Sequence, residues 1–142
     1  MARDLFVDSS GLYALADHRD LRHASAARCV SQLIKGGGRL ILTDYIIDEA
    51  LTLAKARAQS YGALRLLEIV ERSEAFRLVW MGQERFEITK AFFRKHADHG
   101  YSFTDCSSFV VMRELGLSEA LTTDGHFVEA GFHALLRGAT TR

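Results

Sequence analysis

Short apolar runs, each too brief for a helix, recur along the chain and are separated by stretches with helical spacing. The clearest are DLFVD at 4–8, RLILT at 39–43, FRLVWM at 76–81 and EALTT at 119–123, with a weaker FHALL at 132–136. Runs of this kind suit strands buried on both faces. Between them apolar residues return at helical intervals, as in Ala24, Ala27, Val30 and Leu33. This alternation predicts an α/β fold with a mostly parallel central sheet, about five short strands flanked by helices.

The spacing predicts helices over 9–16, 22–35, 44–58, 60–73, 83–96 and 104–115. Ser9 or Ser10 is a suitable cap for the first. Gly36-Gly37-Gly38 stops the second and Gly116 the last, while 96–102 reads as a loop. At 142 residues, with no linker or repeat, the chain is expected to be one domain over 1–142, with 138–142 a loose tail. No apolar run approaches the ~20 residues that span a bilayer. The N-terminal run meets Asp8 too soon for a signal-peptide core, so a soluble, cytoplasmic protein is expected. Two cysteines without a CxxC make neither a disulfide framework nor a zinc motif.

Four acids stand where a solvated surface role is hard to justify: Asp8, Glu49, Asp105 and Asp124. Asp8 closes the first apolar run and Asp124 follows the fourth, which places both at strand carboxyl ends, where α/β sheets bind ligands. Asp105 begins a helix, in line with Phe109 and Met112. Glu49 shares the helical stripe of Ile46, Ala50 and Leu53, whereas Asp48 aligns with Asp44, Thr52 and Lys55. Glu49 should therefore point inward and Asp48 outward. Each acid has a plainer reading: Asp8 as a helix cap, Asp105 as a partner of its helix dipole, Asp124 as a turn residue, Glu49 in an ion pair. Brought together, the four would repel one another and require a cation. Oxygen ligands of that kind point to a hard divalent metal.

Net charge is zero, with 18 basic and 18 acidic residues, which argues mildly against a nucleic-acid binder. With the four acids reserved for a metal, the remaining surface is net basic. Lys90, Arg94 and Lys95 on one helix and Arg65 and Arg72 on another are candidate backbone contacts, although a solvated face is the simpler reading. Tyr45, Tyr61 and Tyr101 could stack bases, with packing the default. His96 and His99 have zinc-like spacing but no third ligand nearby, and Gly36 to Gly38 lacks a phosphate-binding pattern.

The blocks FVDSSGLYAL, DEAL, SFTDCSSFVVM and ALTTDGHFVEAGF resemble the PIN-domain ribonucleases, in particular the VapC-type toxins of toxin–antitoxin pairs. The resemblance runs from Asp4 to Phe132. It implies that Asp8, Glu49, Asp105 and Asp124 occupy the four acidic positions of the site. It further implies one or two Mg2+ or Mn2+ ions held by Asp8, Asp105 and Asp124, with Glu49 a further ligand or the group that orients the attacking water. Ser9, Ser10, Thr104 and His126 would position substrate or the carboxylates. The implied activity is hydrolysis of RNA to 5′-phosphate ends, in a homodimer restrained by an antitoxin that enters the acidic site. Two positions depart from the pattern: Cys106, where relatives often have Ala, and His126, where they often have another acid or a polar residue.

Three other readings compete. One is a housekeeping PIN nuclease in RNA processing, separable by genomic context. Another is a catalytically silent PIN-like binding module, which the presence of all four acids argues against. The third is a phosphatase of the haloacid-dehalogenase type, which needs a second Asp two residues after the first. Here Asp8 is followed by Ser9 and Ser10.

Overall fold

A computed structural model describes residues 3–138, apart from the side chains of 58–61. The chain runs β1 (Leu5–Val7), α1 (Ser9–Ala16), α2 (His23–Lys35), β2 (Leu40–Thr43), α3 (Asp44–Arg72), β3 (Phe76–Val79), α4 (Gly82–Lys95), α5 (Phe103–Leu115), β4 (Glu119–Leu121), α6 (Gly125–Glu129) and β5 (His133–Ala134). The strands form one sheet in the order β3-β2-β1-β4-β5, and every pairing is parallel. The expected α/β architecture is therefore present.

The order explains the burial. β1 is central, and Leu5, Phe6 and Val7 are wholly buried. Helices must cover both faces of such a parallel sheet. α1 packs on α2 and α3, and α4 packs on α5. Phe6, Phe109 and Phe127 join β1, α5 and α6 in one aromatic contact, with ring centroids 5.0–6.4 Å apart.

From β1 the chain moves outward to β2 and β3, then crosses to β4 on the other side. The order thus reverses between β1 and β4, and the crevice at their carboxyl ends is the natural ligand site of an open α/β sheet. Val7 pairs with Leu121, so the next residues, Asp8 and Thr122, come off the two strands side by side.

Two expectations need correction. The helices expected at 44–58 and 60–73 are one helix, α3, capped by Thr43, whose hydroxyl accepts from the Ile46 N–H at 3.1 Å. Gly62 is the only glycine in it and proline is absent; one glycine costs about 1 kcal/mol without ending a helix. The buried stripe of α3 runs Ile46, Ala50, Ala54, while Leu53 and Leu64 are exposed. The segment between the fourth and fifth strands, to which the spacing assigns no element, holds a single short helix, α6, begun by Asp124. The proposed tail beyond Gly138 and the Tyr61 side chain lie outside the described residues.

Gly11 lets α1 lie against β4. A Cβ there would stand 2.0 Å from the Leu121 carbonyl oxygen, which is backbone and cannot move aside. Gly11→Ala is expected to lower unfolding free energy by roughly 3 kcal/mol or to prevent folding. Urea unfolding measures this, and an unchanged midpoint would contradict the close approach.

Candidate active site

Asp8 leaves β1 with its side chain 4% exposed. It occupies the position before α1 but makes no side-chain capping bond. Its Oδ2 accepts instead from the Thr122 hydroxyl at 2.7 Å and the Ser10 hydroxyl at 3.2 Å. Ser10 Oγ also accepts from the Thr123 N–H at 3.0 Å, and Thr122 Oγ1 from the Asp124 N–H at 3.0 Å. Two hydroxyls thus tie the end of β1 to the segment that presents Asp124.

Glu49 reaches the same place from the second turn of α3. Its carboxylate accepts a short hydrogen bond from the Ser9 hydroxyl. Glu49 is half-buried and Asp48 is exposed, as the helical spacing predicts. Asp44 proves to have a separate structural task, accepting from the Met81 N–H at 2.8 Å.

Asp105 enters from the first turn of α5 and is 8% exposed. It forms a capping box with Ser102: Oδ2 accepts from the Ser102 N–H at 3.0 Å, and Ser102 Oγ from the Asp105 N–H at 2.9 Å. Asp124 caps α6, its Oδ1 accepting from the His126 N–H at 2.9 Å. The plainer readings of Asp105 and Asp124 are thus partly right, because both acids organise helix starts. A carboxylate oxygen has two lone pairs, so each capping oxygen can take a second partner.

The electrostatics link all four. Burial, first of all, pushes the Asp8 carboxyl up to about 6; hydrogen bonds from Thr122 and the Ser9 backbone offset part of this, and the charges of Asp105 and Glu49 raise it further. Asp105 is also raised, by burial first, against the Ser102 backbone bond, then by the charge of Asp124, with His126 opposing. The charges of these carboxylates thus act on one another, as in a shared pocket.

The residues around them divide clearly. His126 Nδ1 lies 3.2 Å from Asp105 Oδ2 and 3.4 Å from Asp124 Oδ1. Asp105, Asp124 and His126 each offer a ligand atom, all within 4.8 Å of one another. Thr104 is half-buried, and its carbonyl accepts from the Ser107 and Ser108 hydroxyls at 2.6 and 3.2 Å. Burial, then the Asp105 charge, pushes the Cys106 thiol up to about 11, so it is a neutral packing group. His99 stacks on Tyr101 at 4.7 Å and His96 on Phe92 at 4.1 Å, a packed aromatic row. Tyr101 is itself buried and Tyr45 packs near Phe103. Thr122, with its direct bond to Asp8, was not singled out from the sequence. Its signal was the first Thr of the LTTD block, one residue beyond a buried strand.

The oxygen donors of Asp105 and Asp124, with one imidazole beside them, fit a hard divalent ion.

Comparison with known proteins agrees with this picture. A family model described as PIN domain matches residues 5–133. The 23S rRNA-specific endonuclease VapC20 of Mycobacterium tuberculosis is 31% identical over 129 residues, covering 90% of this chain and 95% of that protein. A VapC ribonuclease of Archaeoglobus fulgidus is 30% identical over 126 residues, covering 85% of this chain and 77% of that protein. The crystal structure of Mycobacterium tuberculosis VapC20, described as a sarcin–ricin loop cleaving toxin, matches with a TM-score of 0.80 at 29% identity, over 90% of this chain and 95% of that one.

The buried charge has a consequence for stability. Without metal, the folded state holds a proton on Asp8 up to about pH 6, whereas the unfolded chain releases it near 3.8. Stability should therefore fall as pH rises through that window, by on the order of 2–3 kcal/mol at neutral pH. Asp8→Asn is expected to stabilise the metal-free protein by that amount at pH 7 and to leave it unchanged near pH 4. Urea unfolding at both pH values decides it; equal stability at pH 7 would contradict a buried charge there.

Proposed function

The chain belongs to the PIN domain family, and from that membership and the geometry of its acidic site we propose that it is a divalent-metal-dependent endoribonuclease, the toxin of a toxin–antitoxin pair. The observation that carries this reading is that Asp105, Asp124 and His126 each offer a ligand atom within 4.8 Å of one another, with the Asp8, Glu49 and Asp105 charges acting on one another beside them.

Asp8, Asp105 and Asp124 would hold one or two Mg2+ or Mn2+ ions. Such an ion supplies an activated water and neutralises phosphate charge. The protein's own groups do the rest. Thr122 and Ser10 fix the Asp8 carboxylate, so its orientation is set before any ion arrives. Ser9 holds one oxygen of Glu49, leaving the other to accept a proton from the attacking water. The Ser102 backbone holds Asp105 in the same manner. Thr104, beside Asp105 at the start of α5, would contact a substrate phosphate. The Arg137 guanidinium lies beside Gly125, the residue after Asp124, where a Cβ would stand 2.9 Å from the guanidinium carbon. An RNA backbone entering the crevice would meet that cation.

The named relatives act on RNA, one of them on 23S rRNA, so ribosomal RNA is the first substrate to try. A cytoplasmic location, an antitoxin that occupies the acidic crevice and a homodimer complete the reading. No helix among the described residues is long and apolar enough to cross a membrane.

The test is cleavage of total RNA and intact ribosomes with Mg2+ or Mn2+. Asp105→Asn keeps the capping acceptor and removes the charge, so it should fold and lose at least about a hundredfold in rate. EDTA should abolish cleavage. Discrete cuts that survive both would contradict the reading, and no cuts under any metal would favour a silent binding module.

A further inference from the structure

We propose that His126 is itself a metal ligand, through Nδ1, and that this nitrogen gives the site a preference for Mn2+ over Mg2+. The proposal rests on the metal-dependent reading above and concerns which residues make the ion selective.

The spacing carries it. In an octahedral shell with ligands near 2.1–2.2 Å, neighbouring ligand atoms are about 3 Å apart. His126 Nδ1 is 3.2 Å from Asp105 Oδ2 and 3.4 Å from Asp124 Oδ1. One ion can therefore touch all three with small adjustments.

The ring is also held in place. The His126 backbone N–H is fixed by Asp124 Oδ1 at 2.9 Å. Tyr101 meets the ring edge-on with centroids 5.6 Å apart, and Tyr101 is buried against Phe109. On the far side lies Gly100, where a Cβ would stand 3.2 Å from Nε2. These contacts turn Nδ1 toward the carboxylates and Nε2 away from them. A residue that merely ended a turn would have no need of this support.

Chemistry supplies the selectivity. Mg2+ favours an all-oxygen octahedron and gives up water reluctantly, whereas imidazole suits transition metals. Replacing an oxygen donor with His126 should therefore disfavour Mg2+ relative to Mn2+. The competing arrangement is a protonated His126 that bridges Asp105 and Asp124 as an organic cation and never touches the ion.

Pulsed electron paramagnetic resonance of the Mn2+-loaded protein separates the two. Wild type should show coupling between Mn2+ and a histidine nitrogen, and His126→Ala should lose it. Calorimetry should show Mn2+ affinity weakened on the order of tenfold in His126→Ala, with Mg2+ affinity changed by less than about threefold. His126→Gln, closer in size, should give the same loss of coupling and guards against misfolding of the smaller variant. Bound Mn2+ without nitrogen coupling in wild type, coupling that persists in His126→Ala, or equal losses for the two ions would overturn the assignment and leave the nuclease reading intact. Failure of wild type to bind either ion would overturn both.

Discussion

Asp8 is a carboxylate at the carboxyl end of the central strand, 4% exposed, whose hydrogen-bond partners are two hydroxyls and the Ser9 backbone. Burying an ionised group in that way is costly, and the cost grows when further carboxylates point at it. Asp105 and Glu49 do so here. Every other feature of the site follows from keeping this group in place and giving its charge a counterpart.

The sheet order supplies the place. Because β1 is flanked by β2 and β4, its end is enclosed on both sides, and because the chain reverses direction of growth there, the crevice stays open to solvent. The pairing of Val7 with Leu121 sets Thr122 beside Asp8. Gly11 removes the side chain that would hold α1 away from β4, which brings Ser9 and Ser10 within reach of the acids. Economy is visible in Asp105 and Asp124, each of which starts a helix with an oxygen that also faces His126 in the crevice. The capping roles fix the two carboxylates as firmly as any dedicated hydrogen bond would.

Much of this was legible in the chain. Leu5–Val7 and Leu40–Thr43 are apolar runs that only buried strands satisfy, and Glu49 separates from Asp48 by helical spacing alone. The resemblance then grouped the four acids, which spacing by itself could place only at strand ends and helix faces. What escaped depends on tertiary neighbours. The single helix α3 passes through Gln59, Ser60 and Gly62, which are weak helix formers that local reasoning treats as a break. Leu53 is exposed because the buried stripe drifts to Ala54. Thr122 looked like an ordinary strand residue, since its partner Asp8 is 114 residues away. His126 stood out only by proximity to Asp124, and its approach to Asp105 needed the packing of α5 against α6.

Asp8 and Asp105 are buried and Glu49 and Asp124 half-buried around one crevice, which a divalent ion is proposed to complete. The most direct measurement is the melting temperature of metal-stripped protein at pH 7, followed as Mn2+ or Mg2+ is added at constant ionic strength. Either ion is expected to give a saturable rise of several degrees that monovalent salt does not reproduce and that a protein carrying both Asp8→Asn and Asp105→Asn does not show. No ion-specific rise, or an equal rise in the doubly substituted protein, would contradict the proposed ion site.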